Sequence, residues 1–292
     1  MKKWLVLLML TGIVSCRHNP PGAGEDIITV SIEPFRYFVE GIAGDDFTVN
    51  VMVQPGANPH IYEPYPDQIR RLQRSRAYIS NGYLGFEMAW LEKFYEINKT
   101  MVKLSLGDRI DPILAGEHHH HHHNHAEHVE GADPHYWVSP ECALIMASSV
   151  KELLCSLNPG EVEKYDSNYR SLLEKIKYAE RMADSLFSQT AGSTFMIYHP
   201  TLAYLARDYN LTEVAVEFEG KEPPPSRLKE LIDLAREKQI RTIFVQKEYD
   251  SRNAAAIARE IGATVTVIDP LSGEWLASTL EIITELHRSF TE

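Results

Sequence analysis

The sequence predicts an α/β fold of two (βα)-repeat lobes, each with a parallel sheet, joined by a long rigid backbone helix. Three observations carry this. Short β-branched runs alternate with amphipathic segments from residue 27 to residue 106. The same alternation restarts at Thr194 and continues to the end. Between them lies a stretch of about thirty residues with three- and four-residue apolar spacing. Strand–helix–strand order of this kind is the mark of a parallel sheet with helices on both faces. With 292 residues, the chain is long enough for two domains, each burying its own core.

Residues 1–15 are read as a secretion signal rather than as part of the fold. Lys2 and Lys3 give a basic start, and Trp4 to Leu10 is an apolar run too short to span a bilayer. The run ends in Ile13-Val14-Ser15-Cys16, which resembles the lipobox of bacterial lipoproteins. Cys16 is then the lipidated first residue, and residues 16–25 a short polar tether. Acyl chains on Cys16 would hold the protein to membrane lipid while its body stays in water.

The N-terminal lobe is expected over residues 26–158. Ile27–Ile32 reads as a buried strand. Pro34 opens a helix over Phe35–Ile42 that stops near Gly44. Phe47–Val53 is a strand, 54–66 a loop with Gly56, Asn58 and four prolines, and 67–74 a helix. Strand Ala77–Ser80, helix 86–98 and strand Val102–Leu106 follow. The stretch 109–135 breaks the pattern with a histidine-loaded loop, and helix 140–156 restores it. Pro159 then opens the linking helix, 159–190. Its apolar stripe is Tyr165, Tyr169, Leu172, Leu173, Ile176, Ala179 and Ala183; two shorter helices with a bend between them would carry the same stripe.

The C-terminal lobe is expected over residues 191–292. Its strands are Thr194–Tyr198, Thr212–Phe218, Thr242–Gln246 and Thr264–Ile268. Its helices are Thr201–Tyr209, 227–238, 252–261 and 273–289. Open sheets of this kind bind ligands beyond the carboxyl ends of their strands. Two such edges facing each other make a cleft.

The formal charge of −12 argues against nucleic acid, whose phosphates an acidic chain repels. Export permits a disulfide. Cys142 and Cys155, however, fall on one expected helix and would stand about 20 Å apart, well beyond the ~7 Å that a bridge spans. Both are read as buried free thiols.

The chain has 13 histidines, eight of them between residues 118 and 128. His60 (PGANPHIYEP) follows the second strand, His135 (DPHYWVSP) precedes a helix, and His199 (IYHP) follows a strand. All three lie where a parallel sheet presents its ligand edge. Asp269 (VIDPLSG) follows the last strand and reaches the same edge of the second lobe. Three imidazoles and one carboxylate make a tetrahedral donor set for zinc. Imidazole favours zinc, copper, iron or nickel over calcium and magnesium. Any one of these histidines alone reads as an ordinary surface residue; together, at strand ends of two similar lobes, they point to a metal site. Glu63 and Asp133 are close enough in sequence to orient the imidazoles.

The loop EHHHHHHNHAEHVEGAD places His118, His119, His120, His121, His122, His123, His125 and His128 within 117–131. It is a polyvalent chelator by composition, and many weak sites raise the local metal concentration. The bland alternative is a solvated low-complexity loop. HNHAEH mimics the HxHxDH pattern of metallo-β-lactamase-like hydrolases with Glu for Asp, but the further histidine spacings and strand context are missing. HExxH, GxSxG and P-loop motifs are absent from the sequence.

With these motifs in hand, residues 26–290 resemble the zinc- and manganese-binding proteins of cluster A-I, the substrate-binding subunits of ABC transporters, and their zinc-specific ZnuA branch in particular. The resemblance rests on PGANPHIYEP, DPHYWVSP, YHPTLAYLARDY, EFEGKEPPPSRLKELI and VIDPLSG, in the family's order and spacing. It implies that His60, His135 and His199 ligate the metal and that Asp269 is a fourth ligand or lies beside one. It implies a non-enzymatic, monomeric protein that binds Zn2+ between its lobes and hands it to an ABC permease and its ATPase. Manganese members typically carry a carboxylate where His199 stands. Some members with three His and one Asp take both metals, so Mn2+ remains an alternative. A histidine-rich loop at the same place is found in many zinc members. Rival readings are a surface metal-storage or adhesion protein, and a zinc hydrolase using Glu63 or Asp133.

Overall fold

The fold was analysed in a computed structural model that describes residues 26–114, 131–217, 223–250 and 252–291. The expected signal, Cys16 and the histidines from His118 to His128 lie outside the described residues.

Each lobe is built on a four-stranded parallel sheet. The first holds β1 (Ile27–Val30), β2 (Thr48–Val51), β3 (Ser75–Ser80) and β4 (Val102–Ser105) in the order β2-β1-β3-β4. The second holds β5 (Thr194–Ile197), β6 (Thr212–Ala215), β7 (Thr242–Gln246) and β8 (Thr264–Ile268) in the order β6-β5-β7-β8. The two orders are the same. In both, the chain leaves its first strand to one side and returns on the other. That reversal opens a crevice beyond the carboxyl ends of β1 and β3, and of β5 and β7, where ligands settle in such sheets. β1 is buried at every position, as its unbroken β-branched run requires.

The helices match the expected ones closely. They are α1 (Glu33–Ala43), α2 (Pro66–Leu72), α3 (Gly85–Ile97), α4 (Pro140–Leu157), α5 (Val162–Phe187), α6 (Ala203–Asp208), α7 (Pro225–Glu237), α8 (Arg252–Ile261) and α9 (Trp275–Thr291). Proline stands in the first turn of α1, α2, α4 and α7, where its missing N–H leaves nothing unpaired. The Ser139 hydroxyl caps α4 by accepting from Cys142 N–H at 3.1 Å.

The linking helix differs from its expected span at both ends. Pro159–Glu161 forms a separate 3-10 turn, and α5 proper is 26 residues long. At 1.5 Å per residue that is a rod of about 39 Å. It buries Tyr165, Leu172, Ile176, Ala179, Ala183 and Phe187, while Tyr169 and Leu173 are only half-buried. Asp46 holds its start, accepting from Lys164 Nζ at 2.6 Å and Tyr165 OH at 2.9 Å. Its end, Phe187, packs on Tyr209 and Phe290 of the second lobe.

The lobes share one main core. One continuous apolar cluster runs from Ile28, Phe35 and Phe38 through α4 and α5 to Phe195, Phe244, Trp275 and Ile283. A smaller cluster around Met196, Leu231 and Ile257 belongs to the second lobe alone. A shared, close-packed core makes α1, α4, α5 and α9 one rigid spine.

Cys142 and Cys155 are free and lie on one unbroken helix. Cys142 is buried, and burial pushes its thiol up to about 11. Cys155 is only half-buried, which corrects the expectation for it.

Candidate metal centre

His60 hangs from the loop after β2. Its backbone N–H donates to Asn58 Oδ1 at 2.8 Å, a side-chain turn that fixes the loop. The loop lies directly on the start of α3. A Cβ on Gly85 would stand 2.4 Å from the His60 carbonyl oxygen, so only glycine permits that approach.

His135 opens the 3-10 turn His135–Val138 and is buried. Asp133 Oδ1 lies 2.8 Å from both its backbone nitrogen and its Nδ1. The Tyr204 hydroxyl, from α6 of the other lobe, donates to the Asp133 carbonyl at 2.8 Å. His199 follows β5. Its Nδ1 is bonded to Glu217, two residues beyond β6. The Tyr249 ring stacks on its imidazole at 4.7 Å and 15°. Gln246, the last residue of β7, donates to the His199 carbonyl.

These supports leave three Nε2 atoms facing one another. His60 Nε2 is 3.2 Å from that of His135 and 3.1 Å from that of His199. Asp133 and Glu217 accept from the Nδ1–H of His135 and His199, so the Nε2 atoms of those two rings carry lone pairs. Converging lone pairs repel one another unless a cation sits among them. A tetrahedral zinc with Zn–N of 2.0–2.1 Å sets its nitrogens about 3.3–3.4 Å apart. Both distances from His60 come close to that spacing, and the three residues' ligand atoms all lie within 4.8 Å of one another. The pocket around it has room for about 20 Å³, enough for an ion and not for an organic substrate.

The electrostatics disfavour protonation of two of the three imidazoles, His60 and His199. Burial, then the neighbouring His135 and His199, hold His60 down to about 3. Burial also lowers His199, outweighing the opposing bond to Glu217. Burial would raise Asp133, but the charge and hydrogen bonds of His135 outweigh it and hold the carboxyl below its usual range. Asp133 therefore stays ionised and fixes the His135 tautomer.

Among the described residues, the only His/Cys/Asp/Glu group with metal-ligand geometry is His60, His135 and His199. Asp269 does not join it. Its carboxylate pairs with Lys247 Nζ at 2.6 Å and lines an adjoining cleft. Glu63 is exposed, and no hydrogen bond joins it to an imidazole among the described residues. Asp133 does orient one. Glu217 and Tyr249 were not singled out from the sequence. For Glu217 there was a usable signal: it lies just past the strand beside the one that delivers His199. The residues flanking the histidine-rich segment are joined, since Leu114 and Ala132 form an antiparallel bridge.

Comparison with known proteins agrees with this geometry. The family model described as zinc-uptake complex component A, periplasmic (ZnuA), matches residues 28–285. The chain belongs to the ZnuA family. A crystal structure of ZnuA superposes with a TM-score of 0.82 at 33% identity, covering 91% of this chain and 99% of that one. A zinc-bound ZnuA deletion mutant gives the same TM-score at 32% identity, covering 91% and 98%. The zinc-binding lipoprotein AdcA of Streptococcus pneumoniae is 27% identical over 267 residues, 89% of this chain and 52% of AdcA. The zinc-binding protein AdcA of Streptococcus pyogenes is 25% identical over 268 residues, 86% and 51%. The chain thus spans about half the length of these curated relatives.

Proposed function

We propose that the protein captures Zn2+ between its lobes and delivers it to a membrane permease driven by an ATPase. The observation that carries this is the convergence of three imidazole Nε2 atoms, two from one lobe and one from the other, at the spacing a tetrahedral ion needs. An all-nitrogen trio favours zinc over manganese, which prefers carboxylates. Membership of the ZnuA family and the likeness to zinc-binding AdcA proteins support uptake as the setting. In this reading the protein is exported, anchored to membrane lipid through Cys16, and acts as a monomer without turnover. Its histidine-rich segment gathers zinc near the cleft, and Asp269 supports the site from beside it.

The test is a competition titration of zinc and manganese. The mature protein is compared with a deletion of 117–131 and with His60→Ala combined with His199→Ala. The deletion should keep one tight, zinc-preferring site, and the double substitution should abolish it. Zinc at a hundredfold excess over its dissociation constant should stabilise the fold by about 2.7 kcal/mol. Tight binding that follows the deleted segment and ignores His60 and His199 would make the protein a histidine-loop metal sink instead.

A further inference from the structure

The three imidazoles are nearly enclosed, with the side chains of His135 and His199 only 5% and 12% exposed. An incoming ion needs a polar way past that enclosure. Beside the metal pocket, between the lobes, lies a cleft of about 280 Å³ lined by Glu33, Arg36, Lys247, Glu248, Asp269 and Leu271. Two of these, Glu248 and Leu271, also line the metal pocket. Leu271 offers no donor, so Glu248 is the polar group at the joint.

The cleft has a cation's chemistry. Three carboxylates outnumber two cationic side chains, and both cations are already engaged. Arg36 is 2.6 Å from Glu33, and Lys247 is 2.6 Å from Asp269. The lobes approach closely across it: a Cβ on Gly273 would stand 2.7 Å from Arg36 Nη2. That neck keeps the charged lining close to any ion passing through. Glu248 is half-buried, and burial, then the nearby Asp269, raise its carboxyl above the usual range. A cation at the joint would relieve both effects. Its carboxylate lies outside the cluster of three histidine donors, as a transient ligand should.

We infer that this cleft is the passage by which zinc enters and leaves the three-histidine site, with Glu248 as the carboxylate that hands the ion across. The inference rests on the zinc-capture reading and adds a route to it. Glu248 binds the ion in passing and not in the final complex. Its removal therefore changes rates more than equilibrium.

The experiment is stopped-flow zinc association, and chelator-triggered zinc release, on the full chain. Glu248→Gln should slow both by about tenfold, the low end of what a charged entrance contributes, while the dissociation constant moves by less than about threefold. Glu248→Asp should recover most of the rate. A thermal melt of each variant keeps folding defects separate. Rates within about twofold of wild type in Glu248→Gln would overturn the inference. So would a weaker affinity with faster release, which would make Glu248 a ligand of the final site. His60→Ala, run alongside, tests the underlying reading by itself. If it keeps tight binding, zinc capture at the trio fails whatever Glu248 does.

Discussion

The Trp275 indole N–H donates to the backbone carbonyl of Trp137 at 2.7 Å, across the lobe boundary. The bond is reciprocated, since the Trp137 indole N–H donates to the Pro270 carbonyl of the second lobe at 2.9 Å. Both rings are fully buried. Trp137 also packs against His135, with ring centroids 5.3 Å apart. The clamp between the lobes is thus built onto the metal centre, and the lobes cannot part without stranding two buried carbonyls.

Trp275→Phe keeps an aromatic ring but removes the donor. The Trp137 carbonyl is then buried without its partner, at a cost of about 1–3 kcal/mol. The variant should unfold at lower denaturant concentration by that amount. Its zinc affinity should fall as well, because the turn carrying His135 is loosened. An unchanged unfolding midpoint would show that the clamp contributes nothing to holding the lobes.

Asp133 and Glu217 touch the Nδ1 side of their imidazoles and aim Nε2 at the ion. Partners of this kind typically govern 10–100-fold in metal affinity, so Asp133→Asn and Glu217→Gln should each weaken zinc by about that factor. Glu63→Gln, at an exposed position, should leave it unchanged. Competition titration of the three variants checks this. Equal effects in all three would mean that net charge, and not imidazole orientation, sets affinity.

The fold was legible because strands such as β1, β7 and β8 announced themselves by β-branched runs, and α1, α2, α4 and α7 by proline at their start. His60, His135 and His199 were legible because each stands at a strand end or loop that a doubly wound sheet exposes. What the sequence hid was pairing across space. Glu217 lies 18 positions from His199 and meets it only because β6 runs beside β5. Asp269 has the right position along the chain. Lys247, at the end of the neighbouring strand, reaches its carboxylate first. The shared core was hidden for the same reason. The sequence shows two (βα) units but not that α1 and α9 meet through Phe38 and Trp275, whose rings are 5.4 Å apart.

Gly85→Ala tests how the His60 loop is seated. The added Cβ would lie 2.4 Å from the His60 carbonyl, a backbone atom that cannot turn aside. Overpacking of this kind costs about 1–3 kcal/mol, and relief must come from moving the loop or the start of α3. Either movement displaces Nε2 of His60 from its partners. Zinc affinity should fall about tenfold or more, since 1.4 kcal/mol is a factor of ten. Helix content by circular dichroism should be retained. Wild-type affinity would mean that the His60 loop is seated by Asn58 alone.

The pH dependence of binding follows from the burial of the trio. A protonated imidazole must lose its proton before it can bind zinc. With an ordinary value near 6.5, each imidazole would cost about tenfold in affinity at pH 5.5, and three about a thousandfold. His60 is held down to about 3 by burial and by its histidine neighbours, so it is already neutral there. His199 is lowered as well, chiefly by burial. Affinity should therefore fall by well under a thousandfold between pH 7.5 and 5.5. The same shift has a signature in the metal-free protein. Below pH 6.5 the unfolded chain takes up the His60 proton and the folded chain does not. The stability tied to that neutral imidazole is present above 6.5 and lost as pH falls from 6.5 toward 3. Chelator-competition titrations across that range, with denaturant melts of the metal-free protein, check both statements. A thousandfold loss of affinity by pH 5.5 would mean that the three imidazoles titrate like solvated ones, and that the enclosure does not govern their protons.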